Sequence, residues 1–353
     1  MESRKIQKVG ASTLSVSIPK QWATRHELNQ GDILLFENLP DGSLRVSPSR
    51  GGEPRVSPEE EEYVINADLC TEPGMLGRVV VGCYVIGRHG MRIKAKGRIK
   101  SEHLLEVRQS VGKLMGLGIM MESSDEIELQ CSIDPARFPM ETVIKRLYTI
   151  AATMQKEAIE ALERSDPRLA SDAIGREDEA DRMYWLALRL LLSAQANPSI
   201  ASKIGLNESL PIVGNRLIAK NLETIADYAD NAAHNALSLL QEGHKVSPTV
   251  IKRLKKLNDT SAGIVQDALS CIFARDIHLA NRAIEAKEAV EQAENDIQAE
   301  ILNHTDPAAV AALRSIAWSL RRIAEYGSEI AVIGINRYLE RPSNLCHLAG
   351  KKP

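Results

Sequence analysis

The chain has 353 residues, too many for one ordinary core, and a domain size of roughly 150 residues points to two or three domains. A formal net charge of -3 with 44% hydrophobic residues excludes a wholly disordered or wholly basic protein, so any nucleic-acid contact must be local. Aromatics make up only 4%, while Ala, Leu, Glu and Arg dominate beyond residue 140, the composition of helical bundles.

The first 25 residues carry five basic side chains, Arg4, Lys5, Lys8, Lys20 and Arg25, against one acid, Glu2. Thr13 to Ile18 alternates polar and apolar as a half-buried strand does. Pro19 suits the first position of a helix, and Gly31-Asp32 and Asp41-Gly42 are turns bounding strands from Ile33 to Phe36 and Leu44 to Val46. The predicted order is strand, short helix, strand, strand. So few large apolar side chains bury little surface alone, and pairing with a second copy is expected. The stretch from Lys8 to Lys20, with Trp22-Ala23, Leu28 and Gly31-Asp32, resembles the AbrB/MazE (SpoVT-AbrB) swapped-hairpin family over residues 3 to 48. That resemblance implies a DNA-binding barrel interleaved from two chains, a homodimer, with Arg4, Lys5, Lys8, Lys20 and Arg25 on phosphates and Ser12 as a hydrogen-bonding partner. Phosphate contacts give affinity and register; sequence choice needs base-edge contacts that are not assigned. The alternative is that these charges only solvate the barrel, or that the module only dimerises.

Ser, Gly, Pro and four consecutive Glu between Pro48 and Glu62 make a polar linker, so the N-terminal domain spans 1–50 and the linker 51–62. Residues 63–135 read as a small α+β domain. Its strand-like runs are Tyr63 to Asn66, Met91 to Ala95, Gly118 to Met121 and Ile127 to Cys131. One helix follows Pro73; another starts at Ser101, whose hydroxyl is expected to cap the amides of Glu102 to Leu104. Arg78, Arg88, His89, Arg92, Lys94, Lys96, Arg98 and Lys100 form a basic stretch, either an anion or nucleic-acid surface or a solvated strand and loop. His26, His103 and His304 read as ordinary surface residues.

From Pro139 onward, breaks at Asp166-Pro167, Asn197-Pro198, Gly243 with Pro248, Asp276 and Asp306-Pro307 predict six helices. Their halves repeat. Thr142-Val-Ile-Lys-Arg-Leu147 recurs letter for letter as Thr249-Val-Ile-Lys-Arg-Leu254. Asp166 to Ile174 aligns with Asp276 to Ile284, and Leu222-Glu-Thr-Ile-Ala-Asp-Tyr228 with Leu320-Arg-Arg-Ile-Ala-Glu-Tyr326. The duplicated unit is a three-helix bundle, copy one over 139–244 and copy two over 247–341. Five scattered cysteines, Cys70, Cys83, Cys131, Cys271 and Cys346, without a C-x-x-C pair suggest neither a zinc site nor a disulfide framework and fit a reducing, cytoplasmic setting. No signal peptide is apparent, and the apolar run from Val79 to Gly87 falls far short of the roughly 20 residues of a membrane span, so direct membrane insertion is not expected.

In the third helix of copy one, Leu222, Ala226, Ala229, Ala233, Ala236 and Leu240 make a core-facing seam. Glu223, Asp227, Asp230 and His234 follow one residue later, about 100° round the helix, so they flank the seam. Glu177, Asp178 and Asp181 lie on the preceding helix, and antiparallel packing would bring the groups together. Clustered carboxylates raise one another's pKa values and call for a cation or protons; oxygen ligands favour iron, manganese, magnesium or calcium. The plain alternative is solvated helix faces with one-turn salt bridges. Copy two moves the balance towards the cation, because there the aligned pairs are Lys287 with Glu291 and Arg321 with Glu325, which neutralise themselves, whereas copy one shows no such internal neutralisation.

This pattern resembles the PhoU family of phosphate-signalling proteins, two three-helix bundles whose paired E(D)-x-x-x-D motifs bind multinuclear iron or other metals. The resemblance covers roughly residues 139 to 340. It implies metal ligation by Glu177, Asp181, Glu223 and Asp227, with Asp178 beside them and iron as the first-choice metal; Asp230 and His234, which extend the acidic stripe of the helix, are additional candidates. Lys287 and Arg321 imply at most one metal site per chain.

Together the resemblances lead to a cytoplasmic, homodimeric transcriptional regulator of phosphate uptake. Its N-terminal domain would bind promoter DNA, and its metal-bearing bundles would sense phosphate status or dock on phosphate transport or signalling proteins. A second reading is a PhoU-like adaptor without DNA binding. A third, a carboxylate metal enzyme, lacks the Glu-x-x-His pairs of oxidative di-iron bundles, and no catalytic residues are assigned.

Overall fold

Glycine turns and short alternating runs fold the N-terminal stretch into two hairpins. The computed structural model of the chain describes residues 3–10, 13–38, 42–49, 62–206, 210–302, 306–347 and 349, and separates into two units, Met1–Glu60 and Glu61–Pro353. In the first unit β1 (Gln7–Val9) pairs antiparallel with β2 (Thr13–Ser15), α1 (Lys20–Arg25) follows, and β3 (Ile33–Asn38) pairs antiparallel with β4 (Leu44–Ser49). Strand β1 is absent from the sequence prediction because three residues carry no readable period. Strand β2 ends at Ser15 rather than Ile18, and Pro19 is the N-cap rather than the first helical residue. The turn at Gly31 is fixed by Asn29 and Asp32: the Asn29 amide donates to Asp32 Oδ2 at 2.7 Å, and the Asp32 amide returns to the Asn29 carbonyl. None of the described residues of this unit is buried, and Ile6, Leu14, Ile33, Leu35 and Phe36 are each more than half exposed.

The second unit begins with β5 (Glu62–Asn66), α2 (Met75–Val85), β6 (Gly90–Lys94), α3 (Ser101–Lys113), β7 (Leu117–Glu122) and β8 (Glu126–Cys131). The sheet order is β5-β6-β8-β7, with β5 parallel to β6 and the other pairs antiparallel. Met91, Ile93, Ile127 and Leu129 alternate inward and join Leu76, Val80 and Tyr84 of α2 and Val107 of α3 in the core. The other face of the sheet carries ion pairs: Arg92 pairs with Glu62 (2.8 Å) and Glu126 (3.1 Å), and Lys94 with Glu126. At these positions the basic stretch is a salt-bridged strand, the blander of its two readings. Two expectations fail. Lys100, not Ser101, is the N-cap of α3, and no side chain caps it. His103 is buried rather than at the surface, its Nε2 3.1 Å from the Cys70 carbonyl oxygen. His304 lies outside the described residues.

The helices beyond residue 139 are α4 (Met140–Arg164), α5 (Pro167–Ile174), α6 (Glu177–Ala196), α7 (Pro198–Lys203), α8 (Leu210–Gln241), α9 (Pro248–Ala274), α10 (Ile277–Ile301) and α11 (Pro307–Leu339). Their starts follow local chemistry. Asp166, Asn197, Asp276 and Asp306 each accept a hydrogen bond from the amide two residues on, Ser247 accepts from that of Val250, and a proline opens α5, α7, α9 and α11. Copy one consists of α4, α5 with α6, and α8; copy two of α9, α10 and α11.

The departure from six helices lies in copy one, where the second helix is broken at Gly175 and the short α7 is added. Position 175 aligns with Glu285 inside the unbroken α10, and glycine is a far weaker helix former than glutamate. Arg176, at the break, donates to both carboxylate oxygens of Glu157 (3.0 and 3.1 Å) and holds the bend against α4.

The copies meet through their third helices. Aligned Tyr228 and Tyr326 stack with ring centroids 5.9 Å apart, and Asn231 Oδ1 accepts from Ser315 (2.8 Å) and Ser319 (3.0 Å). Among the described residues no helix is long and apolar enough to cross a membrane.

Candidate functional site

Because the chain breaks at Gly175, Glu177 and Asp178 stand in the first turn of α6, where the helix dipole favours carboxylates. The α8 seam is buried at Leu222, Ala226, Ala229, Ala233 and Ala236, and Glu223, Asp227, Asp230 and His234 lie beside it, partly or largely exposed. Glu177 lies within electrostatic reach of Asp230, and Asp181 within reach of Glu223, the order of an antiparallel pair. The two acidic groups therefore face each other across α6 and α8.

Their crowding shows in their protonation. Burial, then the charges of Glu223, Asp181 and Glu177, push the Asp227 carboxyl up to about 6, although part of the side chain reaches solvent. Burial raises Glu177 as well, with Asp181 adding to it; burial raises Asp181, with Glu223 and Asp178 adding and Lys113 opposing. Burial also raises Asp230, against the influence of His234. His234 Nε2 is 3.5 Å from Asp230 Oδ2, while Asp230 Oδ1 is buried without a hydrogen-bond partner.

Copy one is not free of internal neutralisation, contrary to the sequence expectation. Lys220, one turn before Glu223, forms an ion pair with it. Burial works against the Lys220 charge, but the hydrogen bond to Glu223 and its charge keep the ammonium above its ordinary range. Lys113, from the last turn of α3, reaches Asp178 Oδ1 (4.0 Å) and Asp181 Oδ2 (3.8 Å). Lys220 was visible at helical spacing. Lys113 was not, because 65 or more residues separate it from its partners.

The donors suit a hard cation: several carboxylates, one carrying a buried and unpartnered oxygen, and each raised pKa marking a charge left short of compensation. Their placement is not that of a finished site. Among the described residues no group of three or more His, Cys, Asp or Glu side chains is arranged to hold an ion, and two lysines stand among the acids.

In copy two the salt bridges expected from the sequence are present. Lys287 is 3.8 Å from Glu291; Arg321 reaches Glu325 at 2.9 Å, the buried Glu294 at 3.2 Å and Glu291 at 3.9 Å. One guanidinium with three acidic partners takes the part a cation would take.

In the N-terminal unit Arg4, Lys5, Lys8, Lys20 and Arg25 are all exposed, Lys8 on β1 and Lys20 and Arg25 at the two ends of α1. Ser12 lies outside the described residues.

Comparisons with known proteins follow the same division. The PhoU domain family matches residues 144–236 and 254–341, one match in each bundle, and the MazE family, described as antidote-toxin recognition MazE, bacterial antitoxin, matches residues 7–54. No curated protein sequence matches the chain. Among solved structures it is similar to the crystal structure of PhoU from Pseudomonas aeruginosa, with 21% identity and a TM-score of 0.49, covering 57% of this chain and 96% of that one. It is also similar to the phosphate transport system regulatory protein PhoU from Streptococcus pneumoniae, with 16% identity and a TM-score of 0.46, covering 57% and 94%.

Proposed function

Because the chain belongs to the PhoU family, with a PhoU domain in each bundle, we propose that it is a DNA-binding transcriptional regulator of phosphate uptake whose bundles hold a metal and dock on transport or signalling proteins. The observation that carries this reading is the joining, on one chain, of tandem PhoU domains to a MazE-like unit whose basic side chains are exposed. Such a unit places several cations for phosphate, and affinity from them falls steeply with salt.

The metal belongs to copy one. Glu177 and Asp181 from α6, with Glu223 and Asp227 from α8, would hold it, with Asp178, Asp230 and His234 around them. Iron is the first choice, with manganese, magnesium or calcium as alternatives. When bound it would supply the positive charge that the crowded carboxylates lack.

In a mobility-shift titration on the promoter of a phosphate-transport operon, the wild type is expected to bind with strong salt dependence and Lys5→Glu/Lys8→Glu to lose binding while keeping its bundle metal. Unchanged salt-sensitive binding by the variant would sink the DNA assignment. The exposed apolar side chains of the N-terminal unit favour one second reading, an adaptor that uses this unit only to dimerise. A dimeric wild type that binds no promoter DNA at any salt concentration would establish it.

A further inference from the structure

The α+β segment is joined to α6 by two cations of opposite character. Arg189, on α6 and only 3% exposed, reaches the C-terminal end of α2. It donates to the carbonyl oxygens of Tyr84 (2.6 Å), Arg88 (3.0 Å) and Gly87 (3.3 Å), and its guanidinium lies 4.8 Å from the Tyr84 ring centroid. A buried cation satisfying three helix-end carbonyls is a fixed joint, since losing it would strand buried acceptors. The second joint is the Lys113 contact with Asp178 and Asp181, eight residues or more before Arg189 and so about 12 Å away along α6. Lys113 is 53% exposed and its separations are long, which makes it a loose electrostatic contact of little intrinsic strength. Beside the Lys113 joint lies an open cavity of about 380 Å³, with Glu106, Lys113, Asp181 and Trp185 in its lining. One joint is built to stay and the other can open.

We propose that Lys113 is an internal stand-in for the metal. The α+β segment supplies to the copy-one acids the positive charge that a bound ion would supply, so metal loading and Lys113 docking exclude each other. Loading then frees the α3 end of the segment while Arg189 remains as the pivot. Occupancy of the bundle is thereby reported to a part of the protein that the ligands do not belong to. This inference rests on the metal reading given above. Copy two supports the exchange of a side-chain cation for an ion, because there Arg321 takes that part permanently.

The test uses full-length protein and manganese(II), followed by calorimetric titration and by hydrogen exchange over residues 108–116. Removing the competitor in Lys113→Met is expected to tighten manganese binding about three- to ten-fold at unchanged stoichiometry, the range set by one or two surface ion pairs. Lys113→Arg, which keeps the charge, is expected to bind as the wild type does. In the wild type, manganese should lower protection over 108–116 to the level of metal-free Lys113→Met. Binding by Lys113→Met alone would also support the proposal. Equal or weaker binding by Lys113→Met than by wild type, or protection that does not respond to metal, overturns the stand-in role and leaves the metal reading intact. No uptake by any of the three proteins overturns the metal reading and the inference with it.

Discussion

The two bundles descend from one pattern, yet they solve the same local problem differently. Copy one crowds acids on α6 and α8 and covers part of their charge with Lys113 and Lys220; copy two replaces the first acid of each pair by Lys287 or Arg321 and closes the site from within. Their packing differs too. Positions 327 and 334 of α11 are glycines against α9, where the aligned α8 positions are Ala229 and Ala236. A Cβ at Gly327 would lie 2.9 Å from Val265 Cγ2, and one at Gly334 would overlap Cys271 Sγ. Copy two is thus shaped for close packing and fixed charge. Copy one keeps unspent charge and pays for it in protonation.

The sharpest way to break this contrast is to remove the acids. Glu223→Ala/Asp227→Ala should abolish bound metal, measured by elemental analysis of purified protein, whereas Lys287→Ala should leave the metal content unchanged. Equal metal in both variants would dissolve the division of labour. Next in size, Arg321→Glu without added metal strands the buried Glu294 beside a second acid and should cost about 3–5 kcal/mol in urea unfolding. Little change would mean that copy two is not held by that guanidinium.

Gly327→Ala should fail to stabilise the protein by the about 1 kcal/mol that alanine ordinarily adds to a helix, because overpacking against Val265 and Ile264 costs about 1–3 kcal/mol, while the reverse change Ala229→Gly in copy one loses helix propensity and a buried methyl and should cost about 2 kcal/mol. A gain of about 1 kcal/mol from Gly327→Ala would remove the packing difference. The smallest effect concerns Asp227. Its folded pKa of about 6 lies above its ordinary value of 3.8, so the fold disfavours the ionised form. That penalty is complete above about pH 6 and disappears as pH falls towards 4. In a chelator, Asp227→Asn should therefore stabilise the protein near neutral pH, by on the order of 1 kcal/mol after solvent screening, and have no effect near pH 4. Thermal unfolding at the two pH values measures the sign.

Much of the helical half was legible because its signals are local: an Asp, Asn or Ser before a Pro or an apolar run, a seam at steps of three and four, and a hexapeptide written twice. The acids flanking the α8 seam followed from the 3.6-residue period alone. The break at Gly175 was harder, since an isolated glycine in a helical pattern is often tolerated, and only alignment with Glu285 gives it meaning. Lys113 and Arg189 were beyond reach for another reason. Their partners are distant in sequence, so no spacing rule links them. The buried His103 misled because polarity alone does not reveal a carbonyl waiting in the core.

The unburied hairpins of the N-terminal unit carry a last consequence. A segment in which no described residue is buried would, once paired as proposed, draw its stability from that pairing, and its stability would then depend on how much protein is present. Dilution would act on such a unit as heat acts on an ordinary domain, whereas the bundles have a buried core within the chain. Gene dosage would then set how much of the chain is folded at its N-terminal end, and below the dissociation constant the paired form would rise with the square of the amount of protein made.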